Sequence, residues 1–186
     1  LLEEGASNAA TIDSLLEETG GFRMGPFTLM DLIGHDVNFA VTNAVFNAYY
    51  QDPRYRPSLL QQDWVEAGWL GRKTGRGVFD YRDGATRPDP QSEALDADAL
   101  PQAVDQSALQ TPSHQIKGVT LMQTDGRTAA HHALELGGPV IVHDLVGPHS
   151  KRVALAASPD VSQEQWQAVV RHCQHSGYQV SRIKDT

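Results

Sequence analysis

Through the first 84 positions, apolar residues recur at helical spacing. Ile12, Leu15 and Leu16 share one face of a helix that Ser7 is placed to cap and that the glycines after Thr19 end. A second helix is predicted to restart at Gly25-Pro26, where proline removes only an amide that has no helical partner. Phe27, Met30, Leu32 and Ile33 supply its apolar side, and after Gly34 a longer pattern runs through Val37, Val41, Ala44, Val45, Ala48 and Tyr49. Pro53 and Pro57 bracket a connection, after which Ser58 can cap a helix from Leu59 to Ala67.

Between about 85 and 115 the pattern gives way to Pro, Asp, Gln, Ala and Ser, as in Arg87-Pro-Asp-Pro90, Leu100-Pro101 and Thr111-Pro112. This stretch reads as a linker, with room for a short helix near Ala94 to Leu100. Beyond it, short apolar runs alternate with helical segments. Strands are predicted at Val119–Met122, Val140–Leu145, Val153–Ala157 and Tyr178–Ile183, with helices at Arg127–Leu136 and from Ser162 to His175. Alternation of this kind implies a small α/β unit with some parallel pairing. The expected organisation is a helical domain over 1–84, a Pro-rich linker over 85–115 and an α/β module over 116–186.

Composition narrows the classes of function. The 186 residues carry a formal net charge of -8 with the acids spread along the chain, which argues against nucleic acid or an anionic membrane surface as the partner. No apolar run approaches the roughly 18 residues of a membrane span. The single cysteine, Cys173, has no internal disulfide partner, and a cytoplasmic setting is expected. The opening Leu-Leu-Glu-Glu lacks an initiator Met and a basic leader, so it reads as the interior of a longer chain.

Candidate chemistry is sparse. Gly71-Arg-Lys-Thr-Gly-Arg-Gly77 could cradle an anion or simply make a tight connection, and it matches neither the P-loop nor the dinucleotide fingerprint. His172-Cys173-His175 and His131-His132 fall short of the three or four convergent ligands zinc needs, so solvated helix residues are the better reading. The carboxylates Asp31, Asp36, Asp63 and Glu66 are each explained by a solvated helix face, and Trp64, Trp69 and Trp166 by packing.

Two blocks, Met24-Gly-Pro-Phe-Thr-Leu-Met-Asp-Leu-Ile-Gly34 and Gly68-Trp-Leu-Gly-Arg-Lys-Thr-Gly-Arg-Gly-Val-Phe-Asp-Tyr81, resemble the C-terminal helical domain of the L-3-hydroxyacyl-CoA dehydrogenases. Leu2-Glu-Glu-Gly-Ala-Ser7 and Ile12-Asp13 extend the match in order and spacing. The second half is similar to the linker module of long-form enzymes of phenylacetate catabolism, and to the later part of the family's Rossmann domain. Val140-Ile-Val-His143 stands where that domain has a strand ending in its catalytic His.

The resemblance implies an all-helical 6-phosphogluconate-dehydrogenase-C-terminal-like domain followed by a small Rossmann-like α/β module, an α plus α/β fold. It implies a parent enzyme that oxidises L-3-hydroxyacyl-CoA with NAD, in β-oxidation-type fatty acid metabolism. In the family these helices form the dimer and one wall of the acyl-CoA cleft, so a homodimer is expected and Met24, Gly25, Pro26 and Phe27 are the expected substrate-facing residues. The NAD-binding domain, with the family's His and Glu, precedes this stretch; no cofactor or metal is expected bound here, and no activity from this stretch alone. The family's His-Phe-Phe-Asn-Pro run is here His143-Asp-Leu-Val-Gly-Pro148, and apolar Val153-Ala-Leu155 stands near the place of its Glu. Without an orienting carboxylate His143 is expected to be a catalytically silent relic. The alternative, from another class, is a dimerisation or assembly module with no ligand of its own.

Overall fold

The computed structural model describes residues 1–95, 109, 113–147 and 150–186. Packing divides the chain into two units, residues 1–23 with 90–186, and residues 24–89. The sequence reading set its first boundary at 84; in the structure the first helix is packed with the α/β unit. A buried arginine explains why.

Helix α1 (Ala9–Gly20) is capped by Asn8 rather than Ser7, the Asn8 Oδ1 accepting the Thr11 amide at 2.8 Å. Gly21 closes it at φ +66. Strand β4 (Arg152–Ala157) carries Arg152, only 3% exposed. Its guanidinium donates to Glu18 at 3.2 Å, to Ser92 Oγ at 2.7 Å, to Ser181 Oγ at 3.0 Å and to Gln179. One planar fork of donors thus gathers α1, the 90–95 segment and the neighbouring strand β5 (Gln179–Arg182). Gln91 N–H donates to Thr11 Oγ1, and Glu93 N–H to the Val180 carbonyl, so the start of the expected linker lies on this unit.

The remaining strands are β1 (Ser113–Ile116), β2 (Val119–Gln123) and β3 (Val140–His143), and the sheet runs β1 to β5 in chain order. Strand β1 was not foreseen, since the expected linker ran to 115. It pairs antiparallel with β2 across Lys117-Gly118, both at positive φ, a turn whose twist suits a two-residue hairpin. The β2/β3 and β4/β5 pairs are parallel, bridged by α5 (Ala129–Leu136) and α6 (Gln163–His175), while β3 and β4 are antiparallel. Ser162 and Gln165 form a capping box at the start of α6. Trp166, Val169, Val170 and Cys173 of α6 pack with Val119, Leu121, Ile141, Val153 and Leu155. Ala129 of α5 packs with Val140, Val142 and Ala156 on the other face, as the two-residue strand period requires. The short helix considered near Ala94 to Leu100 falls mostly outside the described residues.

The unit of residues 24–89 is helical, with α2 (Pro26–Ile33), α3 (His35–Ala48) and α4 (Leu59–Glu66), the last capped by Ser58 as expected. Leu29, Leu32, Ile33, Val37, Val41 and Val45 are each at least a third exposed along α2 and α3. No helix among the described residues is long and apolar enough to cross a membrane.

Candidate functional site

The expected site residues fall in both units. Met24, Gly25, Pro26 and Phe27 lie at the N-terminus of α2, with Gly25 as the N-cap and Pro26 opening the helix. Met24 and Phe27 are half-buried, so each keeps a face toward solvent. Further along α2 lies a residue that sequence reasoning assigned to a solvated face. Asp31 is 1% exposed, and that assignment is corrected.

The Asp31 carboxylate accepts hydrogen bonds from His35 Nε2 at 2.8 Å, the Val78 and Phe79 amides at 2.8 and 2.9 Å, and the Tyr81 hydroxyl at 3.0 Å. Burial alone would raise its pKa, but these donors together hold it below the ordinary carboxylate value. The anchored loop contains the glycine-rich run, whose glycines are explained by close approach. A Cβ on Gly77 would stand 1.9 Å from Asp31 Oδ1, and one on Gly71 2.2 Å from the Asp31 carbonyl oxygen.

The same loop bonds within itself. The Gly71, Thr74, Gly75 and Gly77 amides donate to the carbonyls of Arg76, Gly71, Arg72 and Phe79. Arg76 stacks 3.7 Å from the Trp69 ring centre, Arg72 lies over Tyr81, and Lys73 pairs with Asp36. These bonds favour the tight-connection reading over the anion cradle.

His143 ends β3 in the α/β unit and is 1% exposed. Its Nδ1 lies 2.7 Å from the Asp144 carbonyl oxygen, which only accepts, so Nδ1 carries the proton and Nε2 is the lone-pair side. Nε2 is buried without a hydrogen-bond partner among the described residues. Burial pulls the His143 pKa below its usual value. Opposite it on β4 is Leu155.

The adjacent carboxyl, Asp144, has Oδ1 accepting the Ala154 amide at 3.1 Å, and burial pushes its pKa up to about 7. His143 also borders a cavity of about 230 Å³ with Thr124, Gly126, Arg127 and Lys184. The helix N-terminus beside that cavity is occupied, because the Asp185 carboxylate accepts the Ala129 and Ala130 amides at 2.7 and 2.8 Å. These residues do not fit a dinucleotide: the amides that would meet a phosphate are taken by a carboxylate, and the turn is Thr124-Asp-Gly-Arg-Thr128 rather than a glycine fingerprint.

Of the histidines noted in the sequence, His131 and His175 are exposed as expected, whereas His132 and His172 are not. His132 is 2% exposed and donates from Nε2 to Asp125 at 3.1 Å. His172 has a buried Nε2 and packs against His114, which sequence reasoning did not single out. Cys173 lies in the core, its thiol pushed up to about 12 by burial. Only the i,i+4 spacing of Asp31 and His35 was a visible signal for any of these pairings.

Comparison with known proteins adds identity to this geometry. Residues 1–81 match the family model of the 3-hydroxyacyl-CoA dehydrogenase C-terminal domain. Residues 121–186 match that of the 3-hydroxybutyryl-CoA dehydrogenase reduced Rossmann-fold domain. The chain is 39% identical over 186 residues to 3-hydroxyadipyl-CoA dehydrogenase of Escherichia coli K12, covering 99% of this chain and 38% of that protein. It is 43% identical over 81 residues to 3-hydroxybutyryl-CoA dehydrogenase of Bradyrhizobium diazoefficiens, covering 44% of this chain and 27% of that one. The crystal structure of 3-hydroxybutyryl-CoA dehydrogenase from E. coli K12 superposes with a TM-score of 0.85 at 38% identity, over 99% of this chain and 38% of that structure. The chain thus spans well under half the length of the relatives it matches.

Proposed function

Since the chain belongs to the 3-hydroxyacyl-CoA dehydrogenase family, carrying its C-terminal helical domain and its reduced Rossmann-fold domain, we propose that it works as part of an NAD-dependent dehydrogenase oxidising L-3-hydroxyacyl-CoA to 3-oxoacyl-CoA. The observation that carries this is the agreement in fold and order over 99% of the chain with a 3-hydroxybutyryl-CoA dehydrogenase structure. NAD would supply the hydride acceptor from outside these residues. The Met24–Phe27 turn would line part of the acyl-CoA cleft, held in place by the Asp31 anchor. A role in phenylacetate catabolism, in the cytoplasm, is the setting that fits the likeness to the 3-hydroxyadipyl-CoA enzyme.

His143 contributes no base chemistry in this reading. A base must take a proton and have the resulting charge stabilised, and the imidazole is oriented by a carbonyl oxygen, buried, and faced by leucine. The test is a turnover assay with NAD and 3-hydroxybutyryl-CoA or 3-hydroxyadipyl-CoA. The 186-residue chain is expected to give no NADH above background, and the full product of its gene to turn over. Turnover by the short chain, abolished by His143→Gln, would overturn the assignment of His143 as silent.

The second reading, a dimerisation module, is favoured by one feature: the exposed apolar row of Val37, Val41 and Val45 on α3, continued by Leu29, Leu32 and Ile33 on α2. Light scattering is expected to find a dimer, and Val41→Glu a monomer of unchanged helicity. A wild-type chain that stays monomeric at high concentration counts against a helical dimer interface.

A further inference from the structure

The α/β unit contains an imidazole pair for which the dehydrogenase reading has no use. His114 sits on β1 and His172 on α6, with ring centres 5.2 Å apart and planes tilted by 59°. Both nitrogens of His114 and Nε2 of His172 are buried and have no hydrogen-bond partner among the described residues. A buried polar group ordinarily has one, and three unmet nitrogens in one place call for a water or an ion. No carboxylate pairs with either ring among the described residues. A neutral imidazole offers a lone pair, which is the form a metal ion takes up.

We infer that His114 and His172 form a two-imidazole chelate for a borderline divalent cation of the zinc, nickel or copper class. The spacing supports it. An ion holding one nitrogen of each ring at about 2.0 Å in tetrahedral geometry puts the ring centres roughly 5 Å apart. Two imidazoles without thiolate or carboxylate select the nitrogen-preferring metals over calcium and magnesium, which take oxygen ligands. No set of three His, Cys, Asp or Glu positioned for a metal exists among the described residues. Neighbouring Cys173 is committed to the hydrophobic core, which leaves water to complete the shell. Such a site is an exchangeable one, tying the edge hairpin to α6, and not the closed four-ligand kind that folds a zinc finger.

The test uses the intact 186-residue chain. Equilibrium dialysis against zinc chloride at pH 7.5 is expected to load one ion per chain and to raise the melting temperature. His114→Gln and His172→Gln should each weaken binding at least tenfold, while His175→Ala, on the exposed side of α6, should leave it unchanged. Copper loaded in place of zinc should show two nitrogen ligands by electron paramagnetic resonance. Should either Gln variant fail to fold, ring-nitrogen NMR of the wild-type chain decides, with the His114 and His172 resonances moving on zinc addition. Absence of binding, binding retained in both Gln variants, or shifts confined to His131, His132 or His175 would each overturn the chelate and assign the unmet nitrogens to bridging water.

Discussion

Asp31→Ala is expected to destabilise the helical unit by about 3–5 kcal/mol, within the range for breaking a buried hydrogen-bond network. Four donors converge on this carboxylate, and all lose their acceptor together. The Phe79 amide is buried with its acceptor, and each unmet buried donor costs about 1–3 kcal/mol. Asp31→Asn is the sharper variant. It keeps the volume but replaces one oxygen with an NH₂ that faces donors, so it should recover less than half of the loss.

The measurement is urea unfolding followed by the fluorescence of Trp64, which stacks on His35 beside the carboxylate. The pH dependence follows from the same network. The folded Asp31 pKa lies below the unfolded value of 3.8, so its contribution is fully present above about pH 4 and is lost as pH falls through the folded value. A wild-type unit whose stability is unchanged by Asp31→Ala would refute the anchor, and with it the account of how the Met24–Phe27 turn is held.

The second large effect has the opposite sign. Asp144→Asn is expected to stabilise the α/β unit at pH 8 by about 2–4 kcal/mol and to change little at pH 4. Burial raises the folded pKa from 3.8 to about 7. Below the unfolded value both states hold the proton and the group costs nothing. As pH rises from about 4 to 7 the unfolded chain ionises first, and stability falls along that window. Above 7 the folded state carries a buried charge that backbone amides, Ala154 among them, offset only in part. A carboxamide never ionises and its Oδ1 keeps that hydrogen bond, so the penalty disappears.

Denaturant curves of both proteins at pH 4.5, 6 and 8 check this, and equal differences at all three would reject the burial argument. The lowered pKa values of His114 and His143 act at the other end. Their contribution is present above about 6.5 and is lost as pH falls toward the folded values, because the unfolded imidazoles protonate first.

The local pattern was legible wherever a residue's role depends on its near neighbours. Helices α2, α3, α4 and α6 lie where the apolar spacing placed them, Ser58 caps as read, and the glycines after Thr19 stop α1. The parallel pairing followed from alternating strands and helices, and the family followed from ordered blocks that no single motif could have supplied.

Strand β1 was not legible, because a four-residue edge strand with half its side chains exposed has no pattern until Lys117-Gly118 folds it onto β2. The side of a residue that becomes buried was also hidden. Asp31 and His172 look like ordinary polar helix positions, and their partners lie 47 to 58 positions away, at Val78 and His114. Helix α1 was read with the helices that follow it in sequence, yet the Arg152 guanidinium holds it on the α/β unit. The sequence by itself determined the elements, their order and the lineage, because those rest on spacing and on backbone preference. Only the tertiary structure decided which charges are buried, since desolvation and hydrogen-bond geometry depend on groups that meet through folding and not through proximity along the chain.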